Sequence, residues 1–327
     1  MNDLKKSLLR ELRKRKYSGM AQYEIEALYN FSRSYISETL TFLENDNIII
    51  RKNTGKLTKR IWLPEYYPGI IDNYIRIGIL RSSEYSLFLS LVYKINDKKI
   101  KIIAYNNTVE LMNAIVNNAL EFALSPLFSQ IIYSLTNNNV LMLAPVSSGG
   151  SSIIGKNVKN NTLYTSEISS MMLFTKEFIK AGNDITIKTY DNPLNGLKEF
   201  KNNGRYIVIW EPYATYISET GYITVMDYKS LMNGDPCCFI STNKNYYSKN
   251  KKFIDDLMIR YKNYDKFDEN VLKYISKITK IKKSTVEKSL GNYNFKLEFD
   301  LNDLKNYVEK LGIVISDEKL KSIYNKI

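Results

Sequence analysis

The feature that most constrains this 327-residue chain is a change of hydrophobic period at Leu63-Pro-Glu-Tyr-Tyr-Pro-Gly69. Before it, apolar residues recur every three or four positions; from Tyr74 onward they come in short strand-length runs separated by helical patterns. One core cannot be built from two unrelated periods, so the sequence predicts a head over 1–67 and a body over 74–327. The proline-bounded segment between them is a short, stiff link. At roughly 150 residues per domain the length fits this division, with room for a body of two lobes.

In the head, Leu4, Leu8, Leu9 and Leu12 share a helical face while Lys5, Lys6, Arg10, Arg13, Lys14, Arg15 and Lys16 occupy the others. Ala21 to Tyr29 predicts a second helix with Ile25 and Leu28 inward. Ser32 is an N-cap for a third, whose inner face is Ile36, Leu40 and Leu43. Ile48 to Leu63 then predicts two strands about an Asn-Thr-Gly turn, carrying Lys52, Lys56, Lys59 and Arg60. Arg33, Ser34, Tyr35, Ser37 and Thr41 are left outward on the third helix, side chains of the kind that reach base edges.

This order of three helices and a basic hairpin resembles the winged helix-turn-helix of MarR-type regulators. The stretch Ser32-Arg-Ser-Tyr-Ile-Ser, with Leu40, Leu43-Glu and Asn47-Ile-Ile, carries the likeness over about a fifth of the chain. The resemblance implies double-stranded DNA as partner, with Arg33, Ser34, Tyr35 and Ser37 near bases and Lys52, Lys56, Lys59 and Arg60 near phosphate. Its alternative use is protein contact or dimerisation.

In the body, the sequence predicts strands at Ile75–Leu80, Ile100–Tyr105, Glu121–Leu124 and Val140–Pro145 with intervening helices, forming lobe 1 over about 74–150. A second strand and helix series follows: Thr162–Thr165, helix Glu167–Ala181, Ile185–Tyr190, helix Pro193–Lys201, Tyr206–Trp210 and helix Pro212–Glu219. It makes lobe 2 over about 156–236. Strand Cys237–Ser241 returns to lobe 1, followed by helices to the end, and the sheets are expected to be largely parallel.

Arg76-Ile-Gly-Ile-Leu-Arg-Ser-Ser-Glu-Tyr85, Phe122-Ala-Leu-Ser-Pro126, Ser147-Ser-Gly-Gly-Ser-Ser152 and Trp210-Glu-Pro-Tyr-Ala214 resemble, in order and spacing, type 2 periplasmic binding proteins. Those are substrate-binding subunits of ABC importers for thiamine pyrimidines, sulfonates and related compounds. The closing Ser284-Thr-Val-Glu and Phe299-Asp-Leu-Asn-Asp-Leu304 look like that family's helical cap. The expected fold class is thus α/β with an N-terminal α+β winged helix and a bilobal body with a helical C-terminal cap.

Ligands of open α/β sheets sit outside the carboxyl ends of strands. Those ends hold Ser82, Ser83, Glu84 and Tyr85, then Asn106 and Asn107, then Ser125. Facing them are Ser147, Ser148, Gly149, Gly150 and Ser151, Thr165 and Ser166, Asp191 and Asn192, and Trp210 with Glu211. Ser166 is expected at a helix start, which favours an anionic oxygen. The Ser-Gly segment also reads as a hinge turn, and Trp210 either stacks on a planar heterocycle or packs at a strand end.

Composition excludes several chemistries. There is no histidine, which removes Ser-His-Asp catalysis and zinc-finger sites, and no cofactor or metal is expected. Glu84 and Glu211 are a conceivable acid-base pair without a supporting constellation, so the chain is expected not to be an enzyme. Cys237 and Cys238 fall in an apolar strand and read as inert buried thiols. The net charge of +13 lies in both ends, the middle being near neutral, so charge alone does not locate a partner. No apolar run approaches a membrane span, and the first residues predict an amphipathic helix instead of an export signal. The expectation is a cytoplasmic, homodimeric, ligand-responsive DNA-binding regulator that senses a small polar or anionic effector. The alternative is a cytoplasmic enzyme or ligand carrier that uses the head for protein contact.

Overall fold

The computed structural model describes residues 2–55, 58–180, 185–232 and 234–325. The chain divides into two compact units, one ending at Asp72 and taking in Asn117–Leu120, the other holding Asn73–Val116 and the chain from Glu121 onward.

The first unit opens with helix α1 (Asn2–Arg15), strand β1 (Met20–Ala21), helix α2 (Gln22–Leu28) and helix α3 (Arg33–Asn45). Strands β2 (Ile50–Asn53) and β3 (Lys59–Trp62) follow, and the three strands form an antiparallel sheet in the order β1-β3-β2. Leu4, Leu8 and Leu12 of α1 pack with Ile25, Ile36, Leu40, Leu43 and Ile61 in one core, as the helical spacing requires. Ser32 caps α3, its hydroxyl accepting the Tyr35 N–H at 3.3 Å. Leu28 departs from expectation: it is 54% exposed, because α2 ends there and Tyr29, four residues after Ile25, takes the core position. Lys56 and Ala181 lie outside the described residues.

In the second unit, strand β4 (Tyr74–Ile79), helix α4 (Ser86–Val92), β5 (Lys99–Ala104), α5 (Thr108–Val116), β6 (Phe122–Pro126), α6 (Leu127–Thr136) and β7 (Val140–Gly149) build lobe 1. The chain crosses to lobe 2 with β8 (Ser151–Gly155), β9 (Thr162–Ser166), α7 (Ser170–Lys180), β10 (Thr186–Tyr190) and α8 (Pro193–Asn203). That lobe is completed by β11 (Tyr206–Trp210), α9 (Tyr213–Glu219), β12 (Ile223–Asp227) and α10 (Tyr228–Leu231). Strand β13 (Pro236–Asn243) returns to lobe 1, followed by α11 (Lys244–Lys262), α12 (Glu269–Thr279), α13 (Lys283–Ser289), β14 (Tyr293–Asn294), α14 (Leu301–Lys310) and α15 (Asp317–Ile323).

Among the described residues the lobe 1 sheet runs β14-β7-β13-β6-β4-β5 and the lobe 2 sheet β10-β9-β11-β8-β12. Both are mixed, a correction to the largely parallel expectation. β4 pairs in parallel with β5 and β6, whereas β13 is antiparallel to β6 and β7; β9 is parallel to β10 and β11, whereas β8 is antiparallel to β11 and β12. The physical reason is the double crossing: a strand that leaves one lobe and a strand that comes back meet their neighbours head to tail. Each residue of β13, laid between β7 and β6, is buried, which is why its sequence is a continuous apolar and small-residue run without alternation. The C-terminal helices close lobe 1 through Phe299, Leu304, Tyr307, Leu320 and Ile323, packed on Leu127, Ile131 and Phe239.

The crossing at Ser147-Ser-Gly-Gly-Ser is not a loose glycine turn. Ser147 to Gly149 end β7 and Ser151 opens β8, so the turn shrinks to Gly150. Gly149 and Gly150 have φ of 82° and 65°, and a Cβ at Gly150 would lie 1.7 Å from the Tyr293 ring.

Candidate functional site

The carboxyl ends of β4, β5 and β6 in lobe 1 and of β9, β10 and β11 in lobe 2 open on a common cleft, a cavity of about 250 Å³. Leu80, Ser82, Glu84 and Tyr85 line it from the segment after β4, Asn106 to Glu110 from the start of α5, and Pro126 from the end of β6. Ser166, Glu167, Ser169 and Met171 contribute after β9, Tyr190 and Asp191 after β10, Trp210 from β11, and Cys237 and Cys238 from β13.

The polar groups are held by bonds within and between the two lobes. Ser82 Oγ accepts the Glu84 N–H at 3.1 Å and donates to the Glu211 carbonyl at 3.1 Å, while the Ser83 N–H donates to that carbonyl at 3.2 Å. The end of β4 in lobe 1 is thus tied to the end of β11 in lobe 2. Trp210 Nε1 donates to the Arg81 carbonyl at 2.8 Å, fixing the indole with its ring centre 6.1 Å from that of Tyr190. Tyr190 in turn donates to the Val208 carbonyl at 2.7 Å.

Glu84 is 2% exposed, and its carboxylate accepts the Ser147 hydroxyl at 2.8 Å. Burial pushes its carboxyl up to about 7. Asp191 is exposed and held below the usual carboxylate range by the Asn195 side-chain amide, 2.9 Å away, with the Asn192 amide at 3.1 Å. Cys237 and Cys238 are buried free thiols, and burial raises Cys238 well above its ordinary value. Four carboxyl residues, Glu84, Glu110, Glu167 and Asp191, line the cavity with aromatic and aliphatic side chains; no lysine or arginine is among the described lining residues.

Of the residues expected at the cleft, Ser82, Glu84, Tyr85, Asn106, Asn107, Ser166, Asp191 and Trp210 line it. The others are spent elsewhere. Ser83 Oγ bonds Ser289 Oγ at 2.8 Å, Ser125 donates to Met112 Sδ at 3.0 Å, and Thr165 Oγ1 receives the Thr175 hydroxyl at 3.0 Å. Asn192 caps α8 through the Asn195 N–H at 3.0 Å. Ser147 stands behind Glu84 as its donor, and Ser148 pairs with β14. Gly149, Gly150, Ser151 and Glu211 line a different, polar cavity with Asp227, Lys229 and Lys288. The Glu211 carboxylate is occupied by Thr215 N–H and Oγ1, both at 2.9 Å, and by Asn292 at 2.6 Å. Glu84 and Glu211 therefore do not face one cavity, which corrects their reading as a pair. Both are buried.

Ser166 ends strand β9, and α7 begins only at Ser170, so Ser166 does not head a helix. With no cation in the lining, the expected anionic oxygen has no donor charge there. Tyr190 was legible from the strand-end rule, since it directly precedes Asp191. The two cysteines were not: neighbouring residues of a regular strand point to opposite faces. Here the register against β7 shifts between Pro236 and Cys238 and again before Phe239, and both cysteines reach the cleft.

In the head, Arg33, Ser34 and Ser37 are exposed at the start of α3, Arg33 pairing with Glu26 at 2.8 Å. Tyr35 is half-buried, its ring centre 5.3 Å from that of Phe31. Lys52 and Lys59 are exposed. Arg60 is not a hairpin-tip residue: it lies opposite Lys52 and Ala21, and donates to the Ser18 carbonyl at 2.5 Å. Its guanidinium has a structural partner within the head.

Solved structures resemble the chain at the level of fold. A zinc-bound ligand-binding component of an ABC-type import system from Staphylococcus aureus is 16% identical, covers 73% of this chain and 91% of its own, and gives a TM-score of 0.61. The alkanesulfonate-binding protein of Xanthomonas axonopodis pv. citri bound to MOPS is 14% identical over 79% of this chain and 100% of its own, at a TM-score of 0.60. The periplasmic aliphatic sulphonate-binding protein of Escherichia coli is 14% identical over 76% of this chain and 96% of its own, at 0.59. No family model and no curated protein sequence matches the chain. At these identities the likeness shows a bilobal, periplasmic-binding-protein-like α/β fold, as the sequence motifs implied.

Proposed function

We propose that the chain is a non-catalytic small-molecule-binding protein whose interlobe cleft takes a planar, neutral or cationic, amine-bearing ligand. The observation that carries this is the lining: Trp210 and Tyr190 offer flat faces, four carboxyl residues offer acceptors, and no lysine or arginine is among the described lining residues to hold an anion. An ammonium or amidine entering this cavity gains ion pairs without burying unpaired charge, whereas a sulfonate would meet four carboxyl residues and no cationic side chain among the described lining residues. The binding-protein neighbours support a carrier or sensor use of the cleft more than an enzymatic one.

The test is a thermal-shift panel of planar amines, sulfonates and nitrate on the full chain, followed by native mass spectrometry of any compound retained from a cell extract. Stabilisation by cationic heterocycles, weakened by Asp191→Asn, is expected. Stabilisation by sulfonate or nitrate alone would overturn the ligand class, and turnover of the captured compound would overturn the non-catalytic reading.

A second reading assigns the head to double-stranded DNA, making the chain a cytoplasmic, dimeric, ligand-responsive regulator. What favours it is the exposed start of α3, capped by Ser32 and bearing Arg33, Ser34 and Ser37, with a hairpin carrying Lys52 and Lys59 downstream. Duplex binding by the full chain should then weaken steeply with salt, Lys52→Ala should weaken all sequences alike, and Arg33→Ala should relax sequence preference. Failure to bind any duplex at low salt leaves the head as a protein-contact module.

A further inference from the structure

We propose that Glu84, Cys237 and Cys238 bind one thiophilic divalent cation of the zinc type in the wall of the interlobe cleft. A carboxylate oxygen of Glu84 and the two cysteine sulfurs lie within 4.8 Å of one another, and all three residues are buried. Tetrahedral zinc holds its ligand atoms about 2.0–2.3 Å from the ion, so on binding the three donor atoms would draw together from this spacing.

The backbone irregularity of β13 is what makes the cluster. A regular strand would send Cys237 and Cys238 to opposite faces; here two of the three register shifts against β7 flank Cys238, and both cysteines line the cavity. Irregular pairing in an otherwise fully buried central strand is costly, and here it assembles a donor set.

Electrostatics point the same way. Three groups that ionise to anions are buried together, with no lysine or arginine among the described residues lining the cavity. Each is costly to ionise while buried without a cation beside it. A dication reverses this: the two thiols and the carboxyl release their protons and become two thiolates and one carboxylate around a 2+ charge. Two sulfurs and an oxygen favour zinc-like ions over magnesium or calcium. Supporting groups are in place, with Ser147 donating to Glu84 at 2.8 Å and the Tyr85 hydroxyl 3.5 Å from Cys238 Sγ. Three protein ligands leave the fourth position open to the cleft.

The proposal is independent of the organic-ligand reading, because Asp191, Glu167 and Glu110 remain for an amine when Glu84 holds an ion. Metal-free full-length protein is titrated with Cd2+ and with Co2+, following thiolate-to-metal charge-transfer absorption. The chain has two cysteines and no histidine, so a thiolate signal reports this pair. Expected are one ion per chain, tighter binding as pH rises, and about 10- to 100-fold weaker binding in Glu84→Gln and in Ser147→Ala. Cys238→Ser should lose most of the band; if it does not fold, the wild-type stoichiometry and Glu84→Gln still decide. No charge-transfer band at saturating Cd2+, or a Glu84→Gln protein that binds as tightly as wild type, overturns the three-ligand site. Organic-ligand binding is measured with chelator present, so failure of one reading is seen apart from failure of the other.

Discussion

Arg76 and Glu121 show how strongly a single residue can matter away from the cleft. Arg76 is 0% exposed, with Nη2 2.7 Å and Nε 3.0 Å from the Glu121 carboxylate, whose oxygen also accepts the Arg76 N–H at 2.7 Å. Removing one partner strands a buried charge, so Glu121→Leu should cost about 3–5 kcal/mol in denaturant unfolding, whereas an exposed pair such as Lys180–Glu177 should cost almost nothing when broken. Glu84 gives the opposite pattern, a buried acid without a cation. Its carboxyl sits at about 7, above the ordinary 4.5, so the folded chain keeps a proton that the unfolded chain has released. That contribution is fully present below about 4.5 and is lost as pH rises through about 7, a change on the order of 3 kcal/mol. Burial holds the neighbouring Tyr85, Tyr261, Tyr293 and Cys238 protonated through this window, so among these groups Glu84 is the one that titrates; Glu211, also raised by burial, adds to the slope in the same direction. The melting temperature of metal-free protein should fall as pH is raised across the window, and Glu84→Gln should flatten that slope.

At the scale of elements, the crossing strands and the capped helix respond differently to substitution. Gly150→Ala places a methyl into the Tyr293 ring at a positive φ, so it should destabilise the second unit and disturb the Gly150 N–H bond to the Asn292 carbonyl at 3.0 Å. Hydrogen exchange in β7, β8 and β14 would read this directly, with unchanged protection counting against the argument. Ser32→Ala removes the cap of α3 and should cost about 1 kcal/mol, whatever the head binds. Helices such as α1 and α3 were legible because a packed helical face must repeat every three or four residues. Strands β8 (Ser151-Ser-Ile-Ile-Gly) and β12 (Ile223-Thr-Val-Met-Asp) were not, because the partner that makes each a strand is distant in sequence. The same limit hid the cysteines: their shared face comes from a register shift against β7, a property of two strands and not of one.

For the whole molecule, the second unit is two lobes joined by β7–β8 and by the return into β13, latched at the ends of β4 and β11. A cleft ligand that touches both lobes should stabilise by mass action, about 2.7 kcal/mol at a free concentration of 100 Kd, and should perturb Trp210 fluorescence. A ligand that raises stability without changing Trp210 emission would be bound outside the cleft. The sequence by itself determined the change of style at Leu63–Gly69, the helices of the head, the two-lobed strand-helix body and the strand ends that open on a cleft, because each is written in local period and turn chemistry. Only tertiary structure decided which polar residues face that cleft. Ser83, Ser125, Thr165 and Glu211 stand at strand ends as Ser82, Glu84 and Ser166 do, but are consumed by partners between 4 and 206 residues away. Cys237 and Cys238 join Glu84 only because β13 returns, irregularly, from the other lobe. Where a side chain ends depends on which strand lies beside it, and that is fixed by pairing across the chain.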